Sequence, residues 1–299
     1  MNRIKEILAC IFVHFPVAVV KLRYFLRFKK LPNLKSPKDL NEKILYMKLY
    51  TDTLLWTRLA DKVSVRNYVK ECGLEHILVK LYAVWNDASA IRFEELPDSF
   101  MLKSNNGDGK GTNVPVYDKN ALTEAETQAL TAKAGKWLAQ KNIGALSAEP
   151  HYSRIKPLVF AEELLPIPKG EKSIVDYKLW CLNGKPYLFV VFSNRKSGGE
   201  AEVSCYDLNW NNRSDLLEES KHYHIRKEAL QRPENLDAMI EYARILAKPF
   251  PQVRVDLYNI NGKIYFGELT FTSLGGMMNY FTPQALLEMG RKVNLEYVK

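Results

Sequence analysis

Apolar residues recur along this chain at two alternating spacings, one helical and one of strand type. Leu40, Ile44, Leu45, Met47 and Leu49 predict a helix over Leu40–Tyr50, and a second is expected from Asp61 to Cys72, stopped at Gly73. Ile77–Val84 reads as a strand. Ser99–Ser104 is another, running into the glycine-rich stretch 105–111, with Val114–Tyr117 as its hairpin partner. Thr123 and Glu126 form a capping box for a helix to about Gln140. Strands follow over 158–165, 175–182 and 186–193, the last two joined at Asn183-Gly184. A helix over 233–247 then precedes strands 252–260 and 263–271. With no internal repeat or long linker, this alternation predicts a mixed α/β, α+β architecture with antiparallel hairpins.

A chain of 299 residues, 46% of them hydrophobic, can build two or three packed subdomains around one cleft. Its net charge of +9 is concentrated at one end: residues 1–38 carry nine cations against Glu6 alone. Nucleic-acid binding usually spreads basic residues over a folded face, so no nucleic-acid partner is expected. The apolar run Ile7–Val20 would span about 21 Å as a helix, short of a hydrocarbon core of about 30 Å. No cleavage site of signal-peptide type follows it. Residues 1–30 are read as a basic helix lying on an anionic membrane surface, which makes the protein cytoplasmic and peripheral on the inner face. A first helix packed on the domain with a basic outer face is the alternative. Cys10, Cys72, Cys181 and Cys205 are scattered, as reduced thiols are. His222 and His224 lack a nearby third ligand for a metal.

The chemistry concentrates in two places. In Arg254-Val-Asp256-Leu-Tyr-Asn-Ile-Asn-Gly-Lys-Ile-Tyr-Phe-Gly-Glu268-Leu-Thr270, two strand-borne carboxylates face each other or not according to the turn between them. A two-residue Asn261-Gly262 turn would place Asp256 opposite Gly267 and send Glu268 to the other face. A three-residue turn over 260–262, with Gly262 left-handed, would pair 259 with 263 and put Arg254, Asp256, Glu268 and Thr270 on one face. Two carboxylates on one face need a cation between them, and oxygen ligands select Mg²⁺. The second place is the strand that ends in Lys103 and opens into Asn105-Asn-Gly-Asp-Gly-Lys-Gly111. Glycines let backbone N–H groups reach phosphate oxygens, yet the order matches neither a P-loop nor a dinucleotide fingerprint.

Six ordered motifs resemble the TupA-like (teichuronopeptide biosynthesis) family of the ATP-grasp superfamily. They are Asn41-Glu-Lys43, Asp61-Lys62-x-x-Val65-Arg66, Leu96-Pro-Asp-Ser-Phe100, Asp176-Tyr-Lys178, Asn183-Gly-Lys185 and Phe266-Gly-Glu-Leu-Thr270, within about residues 35–290. The resemblance implies an ATP-grasp fold in which ATP lies between a small lid and a C-terminal antiparallel-sheet subdomain. The implied divisions are a basic segment 1–38, an N-terminal subdomain 39–98, a lid 99–160 and a C-terminal subdomain 161–299. Lys62 and Lys103 then correspond to phosphate-binding lysines, and Asn106, Gly107, Gly109 and Gly111 to the loop over the phosphates. Glu162, Glu163, Leu164 and Leu165 resemble the hinge against adenine, and Asp176 the acid on the ribose. Asp256, Glu268 and Thr270 look like the Mg²⁺ ligands, Thr270 departing from the usual Asn. Lys178 and Arg254 look like catalytic cations. Arg195 and the loop Ser273-Leu-Gly-Gly276 would face the substrate. The implied function is ATP- and Mg²⁺-dependent joining of a carboxylate to an amine in cell-surface polysaccharide synthesis, on a small acidic or sugar substrate. A phosphotransferase and a glycosyltransferase are the alternatives.

Overall fold

A computed structural model of the protein describes residues 12, 14–107, 111–141, 143–196 and 199–297. The chain first forms helix α1 (Pro16–Phe28), with Pro16 at the first helical position, where its missing N–H costs nothing. Of the apolar run Ile7–Val20 expected as a helix, residues 7–11 and 13, Cys10 among them, lie outside the described residues, and Pro16–Val20 belong to α1. α2 (Leu40–Tyr50) is capped by Asp39, whose carboxylate accepts from the Glu42 amide, a contact of about 1 kcal/mol. The helix expected over 61–72 is α4 (Val65–Glu71), and a helix the sequence reading did not expect, α3 (Leu54–Ala60), precedes it. Asp61 breaks them apart by turning its carboxylate onto the amides of Val63 and Ser64.

Two sheets follow. The first, in the order β1-β4-β2-β3, joins β1 (Leu81–Trp85), β2 (Phe100–Ser104), β3 (Asn113–Val116) and β4 (Val159–Glu162). β1 begins later and β4 ends earlier than expected. Because β4 pairs with both β1 and β2, this sheet extends beyond residues 99–160 at each end. Helix α5 (Glu124–Leu138), begun by the expected capping box, packs Ala134 and Trp137 on its core. A single-turn helix α6 (Pro150–Ser153) leads into β4.

The second sheet, in the order β10-β9-β5-β6-β7-β8, comprises β5 (Asp176–Leu182), β6 (Lys185–Ser193), β7 (Ala201–Tyr206), β8 (Tyr223–Ile225), β9 (Gln252–Ile260) and β10 (Lys263–Thr270). Only the β7–β8 pairing is parallel. α7 (Leu236–Ala247) covers one face, burying Leu236, Met239, Ala243 and Leu246 against β5, β6 and β9. Burial of each large residue among these contributes about 1.5–3 kcal/mol. α8 (Pro283–Lys292), capped by Thr282, packs on α2. β7, β8 and α8 have no counterpart in the sequence reading.

The β9–β10 turn is the two-residue alternative. Asn261 (φ 51°) and Gly262 (φ 79°) are both left-handed, as an Asn-Gly turn of this type requires, and Ile260 pairs with Lys263. That register alone would turn Glu268 away from Asp256. A bulge at Gly267 adds one residue, so that Glu268 pairs with Asp256 and Thr270 with Arg254. A side chain at Gly267 would put its Cβ 3.0 Å from the Asp256 carbonyl oxygen and 3.3 Å from the Tyr258 ring, which explains the glycine there. No helix among the described residues is long and apolar enough to cross a membrane.

Candidate active site

Directly paired residues of an antiparallel sheet share a face, so the register of β5, β9 and β10 writes out the site. One row across the strands is Lys178, Asp256 and Glu268, and the next is Trp180, Arg254 and Thr270. Asp176 opposite Tyr258 forms the row on the other side of Lys178. The intervening residues Leu179, Val253, Val255 and Leu257 point into the core with α7. Every residue of β5 is buried, so the charges on this face are held by protein partners rather than by water.

Arg254 grips Asp256 with two bonds, Nε to Oδ1 at 2.6 Å and Nη2 to Oδ2 at 2.7 Å. The same guanidinium donates to Thr270 Oγ1 and Ser273 Oγ, each at 2.9 Å, and lies 3.3 Å from Glu268. Lys178 donates to Asp256 and sits 3.3 Å from Asp176, which Arg195 holds at 2.6 Å. Thr270 donates to Glu268 at 2.9 Å. Partial burial alone would raise the Glu268 carboxyl, whose side chain keeps some contact with solvent, but Lys62, Arg254 and Lys178 outweigh it and hold it down at about 2. Burial likewise opposes ionisation of Asp176, and Lys178 and Arg195 overcome it, leaving the group below its ordinary value. Tyr258 is pushed well above its ordinary range, first by Asp176 and then by burial. Glu268 therefore stands ionised, and both acids of the central row lie against the protein's own cations, Asp256 against Arg254 and Lys178 and Glu268 against Arg254 and Lys62.

Lys62 links this row to the glycine loop. Its ammonium donates to the Gly107 carbonyl at 2.7 Å and lies 3.6 Å from Glu268, while its amide donates to the Asn105 carbonyl. Asn105 ties the loop base down, bonding the Lys156 and Leu158 main chain. Asn106 accepts from Ser104 at 2.6 Å, and its amide nitrogen is buried without a partner among the described residues, as is one oxygen of Asp176. Gly111 is left-handed (φ 76°) and its carbonyl accepts from the Trp137 indole. Gly109 lies outside the described residues. Lys103 is paired with Glu162 at 2.5 Å, and Arg66 approaches the same carboxylate at 3.9 Å. Of the hinge residues, Glu163 spends its amide on the Lys80 carbonyl, whereas no hydrogen bond is made by the amides of Leu164 and Leu165 among the described residues.

Asp256, Glu268 and the Thr270 hydroxyl offer an all-oxygen donor set of the kind a hard divalent cation takes, usually completed by phosphate oxygens and water. No group of three or more His, Cys, Asp or Glu able to hold a metal occurs among the described residues.

The sequence model of TupA-like ATP-grasp proteins matches residues 42–293, most of the chain. The chain belongs to the TupA-like ATP-grasp family. The D-alanine–D-alanine ligase of Bacillus anthracis is similar in structure, with a TM-score of 0.51 and 15% identity over 82% of this chain and 70% of that one. The ligase of the same name from Helicobacter pylori gives a TM-score of 0.41 and 17% identity over 79% of this chain and 61% of that one, so this chain spans less than two thirds of its length. At such identities the likeness is one of fold, and the fold is ATP-grasp. No curated protein matches.

Within this ATP-grasp chain the six motifs divide between chemistry and architecture. Asn41 bonds both the amide and the carbonyl of Met278, and Glu42 accepts from the amides of Asn33 and Lys38. Asn183 joins the Lys292 carbonyl to the Asn294 amide. Asp61 shapes the turn that presents Lys62. Sequence reasoning left Arg66 and Tyr258 without roles, although Arg66 stands in a quoted motif and Tyr258 two residues from Asp256, and it read Ser273 as part of a substrate loop where the structure has it accept from Arg254. It missed entirely a buried cluster in which Lys48 donates to the carbonyls of Ser147 and Gly275, both at 2.7 Å. There Glu149 bonds Ser147 and Thr272, and His151 contacts Thr272 at 3.4 Å. These residues are far apart in sequence and carried no signal.

Proposed function

We propose that this protein is an ATP-dependent carboxylate–amine ligase. The observation that carries the reading is the pair of rows Lys178–Asp256–Glu268 and Trp180–Arg254–Thr270, faced by Lys62 and the glycine loop. In this reading Lys62, Lys103 and the amides of residues 107–111 hold the ATP phosphates. Adenine lies along Glu162–Leu165, where the free amides of Leu164 and Leu165 suit a ring nitrogen, and the unpaired Asp176 oxygen accepts from a ribose hydroxyl. Asp256, Glu268 and Thr270 would hold Mg²⁺, which neutralises phosphate charge.

A carboxylate oxygen of the acid substrate attacks the γ-phosphorus, the bond to the ADP oxygen breaks, and an acyl phosphate forms. Arg254 and Lys178 stabilise the charge that builds on the transferring group, because they are already oriented and need no reorganisation. An amine then attacks the acyl carbon, loses a proton, and inorganic phosphate leaves. The substrate is inferred to be a small acid or sugar acid bound for a cell-surface polysaccharide, and the support for that context is membership of the family. A reaction that consumes ATP belongs in the cytoplasm, where ATP is made.

The test uses Mg-ATP, hydroxylamine and a panel of amino acids and uronic acids. One acid should yield a hydroxamate, with ADP and free phosphate in equal amounts. ADP with phosphate retained on a stable ester would make the protein a phosphotransferase, and turnover of a nucleotide sugar without ATP would make it a glycosyltransferase. Either result overturns the ligase reading.

A further inference from the structure

Helix α1 is apolar on two opposite sides. Its inner side is buried: Val20 and Tyr24 pack with Leu34, Leu45 and Met277. Arg23 and Arg27 fasten the same helix, donating to the Leu146 carbonyl at 2.8 Å and to Asn279 at 2.7 Å. Phe15, Ala18, Leu22, Phe25 and Leu26 recur at the spacing of one helical stripe and form the outer side. Phe15 is 61% exposed, Leu22 54%, Phe25 47% and Leu26 59%. A helix apolar on both sides is ordinarily buried on both. Scattered exposed apolar residues need no explanation, but a continuous stripe does.

The flanks of the stripe say what covers it. Lys21, Lys29 and Lys35 take part in no ion pair among the described residues, and no acidic residue occurs between positions 14 and 38. A second copy of the chain would bring the same positive charge to the contact and be repelled. An anionic surface with an apolar interior beneath it satisfies both features: aromatic and aliphatic side chains enter the acyl region while lysines stay among the headgroups. We propose that the outer face of α1, centred on Leu22, Phe25 and Leu26, docks this protein on an anionic lipid bilayer. Because the inner face is fastened to Leu45, Leu146 and Met277–Asn279, the helix stays on the domain when it docks. The segment that follows Ser273 is then held close to the membrane surface.

The experiment is co-sedimentation of the full chain with vesicles of phosphatidylcholine alone or mixed equally with phosphatidylglycerol. Wild type should bind the mixed vesicles and not the neutral ones, and binding should fall as salt rises, since screening acts within about 8 Å at physiological ionic strength. The triple variant Leu22→Gln, Phe25→Gln, Leu26→Gln should lower the partition coefficient by about tenfold or more at an unchanged melting temperature. If that variant does not fold, Lys21→Gln with Lys29→Gln should lower it by about tenfold on its own. Equal binding to both vesicle types, or to neither, overturns the proposal. So does a folded triple variant that binds like wild type, or an oligomer that the triple variant dissociates without any vesicle binding by wild type.

Discussion

Replacing Asp256 by Asn removes one negative charge from between two buried cations. Arg254 loses a two-bond partner at 2.6 and 2.7 Å, and Lys178 loses its shortest contact. Breaking a buried ion pair by deleting one member typically costs about 3–5 kcal/mol. Each cation retains a second acid, Glu268 at 3.3 Å for Arg254 and Asp176 at 3.3 Å for Lys178, so the lower end applies, about 3 kcal/mol. At about 2–4 °C per kcal/mol this lowers the melting temperature by about 6–12 °C without nucleotide. Glu268→Gln is the control. The Glu268 side chain is 37% exposed against 3% for Asp256, and its contacts with Arg254 and Lys62 are longer, at 3.3 and 3.6 Å. Such a pair is worth about 1 kcal/mol or less, so this variant should melt within a few degrees of wild type. Both variants should abolish Mg-ATP turnover. The assay is thermal denaturation of both proteins in parallel with ADP release. If Asp256→Asn melts with wild type, or Glu268→Gln falls as far as Asp256→Asn, the charge balance drawn from the β5–β9–β10 rows is wrong.

Two further outcomes follow from the same geometry. Gly267→Val places side-chain atoms against the Asp256 carbonyl and the Tyr258 ring. It should cost about 1–3 kcal/mol and suppress turnover, whereas Gly262→Ala, with open space around it but φ of 79°, should cost stability alone. Denaturant midpoints with ADP release distinguish the two. His151 is held neutral by burial, with Lys48 and Arg154 adding to the effect, and its ionisation is lowered from 6.5 to about 3. Below pH 6.5 the unfolded chain takes up a proton that the folded chain refuses, so this group's contribution to stability falls until about pH 3. Denaturant midpoints measured between pH 7 and pH 5 should therefore fall less steeply for His151→Gln than for wild type.

Local pattern and local chemistry determined much of this protein. The helix Leu40–Tyr50, the Thr123 capping box and strands β5, β6, β9 and β10 follow from spacing, because each is specified by neighbours a few residues away. The same locality explains why Arg254, Asp256, Glu268 and Thr270 could be singled out on one short hairpin. What locality could not decide was the register. The Asn261-Gly262 turn alone would have separated the acids, and only the close approach of Gly267 to the Asp256 main chain, seen in the paired strands, brings them together. The apolar run read from sequence reached only Val20, and the two apolar sides of α1 were not distinguished there, since a helix has an inside only once Leu45 and Met277 are packed against it. Asn41, Glu42 and Asn183 stood in the quoted motifs as Lys62 did and proved to be structural ties, Asn41 and Asn183 to distant segments and Glu42 to the nearby amides of Asn33 and Lys38. The Lys48–Glu149–His151 cluster was invisible because its members come together from α2, the turn before α6 and the loop after β10. Contacts across such separations are made by the tertiary fold, and no residue announces them alone.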